Sequence, residues 1–165
     1  MKLAVYPGSF DPITYGHMDI ATRALKVFDR LIILVSDNPY KAGLFTAIER
    51  VELITEALKD HLDKVEIKIS TNLTVKETKN LGATHIVRGL RAVTDFEYEF
   101  QLTHANRVLE KSVDSIFFMT DNKYSFLSST TVKEIAQFNG ELSHFVPKFI
   151  ENKIIQKIEE KENLK

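Results

Sequence analysis

Leu31-Ile32-Ile33-Leu34-Val35 is an unbroken apolar run, closed by Ser36 and followed by Asp37-Asn38-Pro39-Tyr40-Lys41. Five apolar residues without alternation read as a strand covered on both faces, the kind a parallel sheet buries between two helical layers. Working outward, similar short runs occupy residues 3–6, 65–70, 85–88 and 115–119. The run Val65-Glu66-Ile67-Lys68-Ile69 alternates, which predicts an edge strand or one half exposed.

Longer stretches of helical spacing lie between the runs, at residues 17–28, 46–60, 74–81, 94–110 and 129–138, with a last helix from Pro147 onward. Thr46 and Glu49 have the spacing of a capping box. Ser and Thr stand at the start of 129–138 and Gly140 just past its end, as start and stop signals require. Strand–helix alternation over five strands predicts a doubly wound, five-stranded parallel α/β sheet of Rossmann-like type. Without repeats, low-complexity segments or Pro/Gly linkers, the chain reads as one domain over residues 1–165, with a charged tail at 158–165 that frays.

Bulk properties narrow the function. A formal net charge of −1 argues against a general nucleic-acid binder, which carries a basic excess. The absence of cysteine excludes disulfides, thiolate catalysis and Cys-ligated zinc. The apolar run at the N-terminus is too short for a signal peptide, and no segment approaches the roughly 20 apolar residues of a membrane helix. These features predict a soluble, cytoplasmic protein with no membrane association.

In an open α/β sheet, ligands bind beyond the carboxyl ends of the strands. Residues suited to chemistry should therefore collect just after each run, and they do. His17 follows the first, Lys41 the second, Thr74 the third, Arg88 and Arg91 the fourth, and a hydroxyl-rich segment, Tyr124-Ser125-Phe126-Leu127-Ser128-Ser129-Thr130, the fifth. Two guanidinium forks, one ammonium and free helix N-terminal amides suit a polyphosphate. The first loop, Gly8-Ser9-Phe10-Asp11-Pro12-Ile13-Thr14-Tyr15-Gly16-His17, fits neither G-x-G-x-x-G nor G-x-x-x-x-G-K-[ST], which disfavours a dinucleotide redox enzyme and a P-loop NTPase. In that loop Gly8 permits a tight turn, and Gly16 leaves room for a base or phosphate.

The Thr14-x-Gly16-His17 motif after a first strand, with a late Ser-Ser-Thr at a helix start, resembles the nucleotidyltransferase superfamily related to class I tRNA synthetases. The blocks at residues 6–17, Arg88-Gly89-Leu90-Arg91-Ala92-Val93-Thr94-Asp95-Phe96-Glu97-Tyr98-Glu99, and 124–130 with Val132-Lys133-Glu134 are similar to those of the bacterial phosphopantetheine adenylyltransferase family. The resemblance runs from about residue 3 to about residue 155 and departs slightly at Thr130, where the family often has Ser. It implies transfer of AMP from ATP to 4′-phosphopantetheine, with 3′-dephospho-coenzyme A and pyrophosphate as products.

Carried over residue by residue, the resemblance places Ser9 on both substrates, and the Phe10 backbone, Gly89, Leu90, Arg91, Glu99, Tyr124, Ser125, Phe126, Leu127, Ser128, Ser129 and Thr130 on ATP. It places Lys41, Thr74 and Arg88 on the phosphopantetheine. His17, Lys41 and Arg91 would stabilise charge in the transition state, and Mg²⁺ would be held mainly by ATP phosphates. The family forms homohexamers, so one is expected here.

Blander roles stand beside these. Arg88 and Arg91 could pair with Asp95, Glu97 or Glu99, and Ser128, Ser129 and Thr130 would cap a helix in any fold. Phe96, Tyr98 and Phe100 suit core or subunit packing. The lysines from Lys153 onward suit a solvated face, and His61, His85, His104 and His144 suit surface or packing. A transferase acting on glycerol phosphate or nicotinamide mononucleotide, or a non-catalytic nucleotide sensor, are the competing functions. Retention of His17, Lys41 and Arg91 together speaks against the sensor.

Overall fold

The computed structural model describes residues 1–40 and 42–163. Its strands are β1 (Leu3–Gly8), β2 (Arg30–Ser36), β3 (Val65–Ser70), β4 (His85–Leu90) and β5 (Asp114–Met119). Its helices are α1 (Tyr15–Ala24), α2 (Ala47–Ala57), α3 (Thr74–Asn80), α4 (Val93–Leu109), α5 (Ser129–Gln137) and α6 (Lys148–Glu162). The strands form one parallel sheet in the order β3-β2-β1-β4-β5, so the alternating strand β3 is indeed an edge.

Side-chain alternation along the buried strands separates two cores. Ala4, Tyr6, Leu31, Ile33 and Val35 face a large cluster with Ile20 and Ala24 of α1, Ile54 of α2, Val132 of α5 and Ile150 and Ile154 of α6. Val5, Ile32 and Leu34 face the other way, toward Ala83, Leu3 and Leu81. Val75 of α3 packs with Ile86 and Val113 on that second side. Both faces of β2 are thus covered, which is why its sequence does not alternate.

The chain winds outward from β1 to β3 and then returns to β4 on the other side of β1. The sheet therefore reverses direction between β1 and β4, the point at which such sheets open a crevice. Register shows the opening directly. The β1–β2 pairing runs from Leu3↔Arg30 to Gly8↔Val35, whereas β1 and β4 pair only at Ala4↔His85 and Val5↔Ile86. Beyond Val5 the two strands part.

Several boundaries differ from the sequence expectation. Helix α1 ends at Ala24, and Phe28 is buried from a following turn in which its N–H bonds the Ala24 carbonyl at 2.9 Å. Helix α2 starts from the expected Thr46–Glu49 capping box, stops at Ala57, and gives way to a 3₁₀ turn at Lys59–His61. At the end of α5 it is Asn139 that takes the left-handed conformation, with φ +56°, while Gly140 is needed for space, since a Cβ there would collide with Ile135 Cγ2. Helix α6 continues through Glu162, and residues 164–165 of the tail expected at 158–165 lie outside the described residues. Its lysines are not simply solvated, because Lys157 pairs with Glu49 of α2 and Lys161 donates to the Gly43 carbonyl at 3.0 Å. Phe96, Tyr98 and Phe100 are exposed and belong to no core cluster of the described residues.

Candidate active site

Where β1 and β4 part lies a cleft of about 300 Å³. The β1 loop supplies Ser9, Phe10, Thr14, Gly16 and His17; β4 and its exit supply Arg88, Gly89 and Arg91; the start of α5 supplies Leu127, Ser128, Ser129 and Thr130. Glu99 and Tyr124 complete the predicted residues that meet there, and Tyr6, Asp95 and Thr120, which were not among the expected ligand-binding residues, join them.

Leu90, Ser125 and Phe126 do not line the cleft. Leu90 is buried, and Phe126 turns out to solvent with its ring edge-on to Phe145. Thr74 starts α3 beyond edge strand β3 and is also outside the cleft lining. Lys41 lies outside the described residues.

Thr14 and His17 close a capping box on α1. The His17 N–H donates to Thr14 Oγ1 at 3.4 Å, and His17 Nδ1 accepts the Thr14 N–H at 3.1 Å. A backbone N–H can donate only to an unprotonated ring nitrogen, so the neutral imidazole carries its proton on Nε2. Burial, reinforced by Arg91 and Arg88, lowers the His17 pKa to about 4. At neutral pH the residue is therefore an uncharged hydrogen-bond donor beside two cations. The Phe10 ring stands edge-on to it, 5.1 Å between centroids.

Arg88 bridges the gap between the parted strands. Its Nη1 donates to the Pro7 carbonyl at 3.0 Å, and its Nε and Nη2 hold the Glu99 carboxylate, with Nε at 2.9 Å from both oxygens. Burial alone would depress this guanidinium, but the Glu99 bonds outweigh it and raise its pKa. Arg91 is paired too. It clasps Asp95 through Nε at 3.0 Å and donates from Nη1 to the Leu127 carbonyl at 2.9 Å, tying β4 to the segment before α5. The ion-pair geometry allowed for in the sequence is thus present at both arginines. Each arginine still has N–H groups beyond those bonded, since a guanidinium carries five.

Two helix N-termini open onto the cleft. In α5, Ser128 Oγ caps the Thr131 N–H at 3.0 Å, leaving Ser129 and Thr130 amides at the first helical positions without an intrahelical partner. The Ser129 hydroxyl is committed to the Pro12 carbonyl at 2.8 Å. The glycines have mainly packing roles: a Cβ at Gly8 would lie 3.0 Å from the Phe10 ring, and one at Gly89 3.2 Å from Ile20 Cγ1. A Cβ at Gly16 would meet only ordinary contacts.

Two supporting groups were not legible in the sequence. Buried Asp11 accepts the amides of Leu44 and Phe45 at 2.9 and 2.8 Å and the ammonium of Lys133 at 3.0 Å. Burial would raise its pKa, but these donors outweigh burial and lower it. Buried Arg50 of α2 reaches the Ser9 carbonyl at 2.8 Å, the Ser36 carbonyl at 3.0 Å and Asp37 at 2.9 Å. The only hint of the first was Asp11's place inside the quoted loop; Arg50 gave none. Among the described residues no group of three or more His, Asp or Glu could hold a metal ion.

A cleft with uncharged His, two arginines and two helix N-termini at the switch point of a parallel sheet fits nucleotidyl transfer, and comparison with known proteins agrees. The Cytidylyltransferase-like family model matches residues 5–135. A crystal structure from Vibrio parahaemolyticus, provisionally named a nicotinate-nucleotide adenylyltransferase, has the same fold, with TM-score 0.67, 17% identity, and 94% of this chain and 93% of that chain covered. These findings define the class as a nucleotidyltransferase of Rossmann-like fold. Curated relatives go further. The phosphopantetheine adenylyltransferase of Caldanaerobacter subterraneus subsp. tengcongensis is 50% identical over 95% of this chain and 98% of its own length. Those of Lachnoclostridium phytofermentans and Geotalea daltonii are 48% and 50% identical, over 99% and 89% of this chain and 97% and 91% of theirs. The chain belongs to the phosphopantetheine adenylyltransferase family.

Proposed function

We propose that this chain transfers the adenylyl group of ATP to the phosphate of 4′-phosphopantetheine, releasing pyrophosphate and forming 3′-dephospho-coenzyme A, a step of coenzyme A synthesis. An oxygen of the acceptor phosphate forms the new bond to the α-phosphorus as the bond to the bridging oxygen of pyrophosphate breaks. The nucleophile is already anionic near neutral pH, so the site needs no strong base. It needs alignment of the two phosphates and donors where negative charge grows.

The carrying observation is His17. A neutral Nε2–H donor held by Thr14, in a cleft that also contains Arg88 and Arg91, can bond a phosphoryl oxygen without first losing a proton. Arg91 and the α5 amides of Ser129 and Thr130 suit the β- and γ-phosphates, and Arg88 suits the acceptor phosphate. Lys41, Thr74, Leu90, Ser125 and Phe126 keep the substrate roles that the family resemblance implies. Both carboxylates of the cleft, Asp95 and Glu99, are occupied by arginines, so magnesium would enter with ATP on its phosphates. We further propose a single-domain, cytoplasmic homohexamer; exposed Val93, Phe96, Tyr98 and Phe100 of α4 supply apolar surface for subunit packing.

The test is pyrophosphate release from ATP, Mg²⁺ and 4′-phosphopantetheine by wild type and His17→Ala. Release that collapses in a folded variant supports the reaction and the role of His17. A folded wild type that releases none would refute the reading.

A further inference from the structure

Arg50 is buried at 6% exposure and lies outside the cleft lining, and it meets the predicted substrate position Ser9 only at that residue's backbone carbonyl. Every part of its guanidinium is engaged. Nε donates to the Thr46 carbonyl at 3.3 Å, Nη1 to the Ser9 and Ser36 carbonyls at 2.8 and 3.0 Å, and Nη2 to Asp37 at 2.9 Å. One side chain from α2 thereby pins the loop after β1 to the end of β2.

The bond to Ser9 carries the consequence. Ser9 C=O and Phe10 N–H belong to one peptide unit, which is trans. In a trans peptide the two groups point in opposite directions. A cation that fixes the carbonyl at the back of the loop also fixes the direction of the N–H at the front. Phe10 is 1% exposed, and among the described residues its N–H finds no backbone or side-chain acceptor, although buried amides are nearly always paired. Ser9 and Phe10 both line the cleft. A donor without a partner, in a loop that lines the cleft, is available to an anion bound there. Donation from a guanidinium to the carbonyl also polarises the peptide and strengthens its N–H as a donor.

The Phe10 backbone has φ +47°, a left-handed conformation that a bulky residue avoids. Burial of the ring between Tyr6 and His17 holds it from one side. Arg50 holds the preceding carbonyl from the other.

We propose that Arg50 is a positioning residue for adenylyl transfer, acting through the Ser9–Phe10 peptide to aim and polarise the Phe10 N–H at an ATP phosphate. The proposal rests on the ATP-dependent reading above. Lys at this position keeps the charge but cannot bond three carbonyls and a carboxylate at once.

The experiment is calorimetric titration of Arg50→Lys with ATP and Mg²⁺, beside turnover with 4′-phosphopantetheine and thermal melting, with wild type in parallel. In the folded variant the Kd for ATP should rise about tenfold, the worth of one charge-assisted hydrogen bond. Turnover at saturating ATP should also fall, with KM for 4′-phosphopantetheine unchanged. Arg50→Gln, which loses the charge and keeps one side-chain amide, should weaken ATP binding at least as much and serves if the lysine variant does not fold. A merely structural arginine would lower the fraction of binding-competent sites and the melting temperature while leaving the Kd of those sites at the wild-type value. That result overturns the proposal, as would failure of both variants to fold. If wild type binds ATP but turns over no phosphopantetheine, the proposed reaction is what fails, and the Kd comparison still decides whether Arg50 sets the Phe10 donor.

Discussion

Thr14 donates its backbone N–H to Nδ1 of His17 at 3.1 Å, and that bond fixes which ring nitrogen carries the proton. The remaining Nε2–H is a neutral donor, and burial together with Arg91 and Arg88 keeps it neutral down to about pH 4. Removing this donor in His17→Ala should lower kcat on the order of 10²- to 10³-fold, the usual cost of deleting one donor to a developing negative charge. Steady-state pyrophosphate release by the folded variant checks it; a kcat within a few-fold of wild type would exclude His17 from the chemistry.

The same depressed pKa predicts a pH dependence of stability. Unfolded His17 binds a proton near pH 6.5, whereas the folded residue resists protonation until about pH 4. Over that window the unfolded state binds more protons, so folding weakens as pH falls from about 6.5 toward 4 and is unaffected above it. Wild type and His17→Gln should therefore share one slope of urea midpoint against pH above neutrality, and wild type should fall more steeply below it. Carboxylates held low by their donors, such as Asp11 and Asp95, lose their stabilisation at lower pH in both proteins and cancel in the comparison. Parallel curves throughout would mean that His17 titrates freely.

Arg88 and Glu99 should be indispensable to each other. Glu99 is 6% exposed and faces a guanidinium that also spans the parted strands to Pro7. Arg88→Met strands a buried carboxylate and should cost about 3–5 kcal/mol, whereas the double variant Arg88→Met/Glu99→Gln should recover much of that loss because no uncompensated charge remains. Chemical denaturation of the two single variants and the double variant measures the coupling. Recovery of stability without recovery of turnover would separate Arg88's structural bond from its proposed contact with the acceptor phosphate.

Asp11 gives a purely architectural counterpart. It satisfies two amides of the segment leading into α2 and anchors Lys133 of α5, so Asp11→Ala leaves buried donors unpaired and should destabilise by about 2–4 kcal/mol. Lys133→Met, at a partly exposed position, should cost less. A double-mutant cycle in denaturant reads the coupling, and strict additivity of the two changes would show that the ion pair contributes nothing.

The sheet and the polar edge were legible because each depends on local pattern. An apolar run marks β2 as buried, alternation marks β3 as an edge, and Thr46 with Glu49 marks the start of α2. Residues following β1, β4 and β5 met in one cleft for the topological reason that placed them there, whereas Thr74 after β3 did not. What escaped is tertiary. Asp11 and Lys133 are 122 positions apart, and Arg50 reads as one more charge on an amphipathic helix until two loop ends converge on it. Phe126 lies inside a segment of which Tyr124 and Leu127 to Thr130 reach the cleft, yet its own ring meets Phe145 outside the cleft lining. Asn139 displaced Gly140 as the left-handed residue after α5 because helix stop signals locate such a residue only to within a position or so.

Ser128 separates helix capping from anion binding. Its hydroxyl caps the Thr131 amide at 3.0 Å, and the α5 amides beside it face the cleft. Ser128→Ala should lose about 1 kcal/mol of stability through the missing cap. Ser128→Asp retains a capping oxygen and adds negative charge at a helix N-terminus, so its stability should match or slightly exceed wild type. That same carboxylate occupies the field an incoming phosphate would use, and ATP affinity should drop sharply in the aspartate variant while it changes little in the alanine one. Melting curves set beside calorimetric titration with ATP read both properties. An aspartate variant that binds ATP as wild type does would remove the α5 N-terminus from the nucleotide site, whatever its effect on the helix.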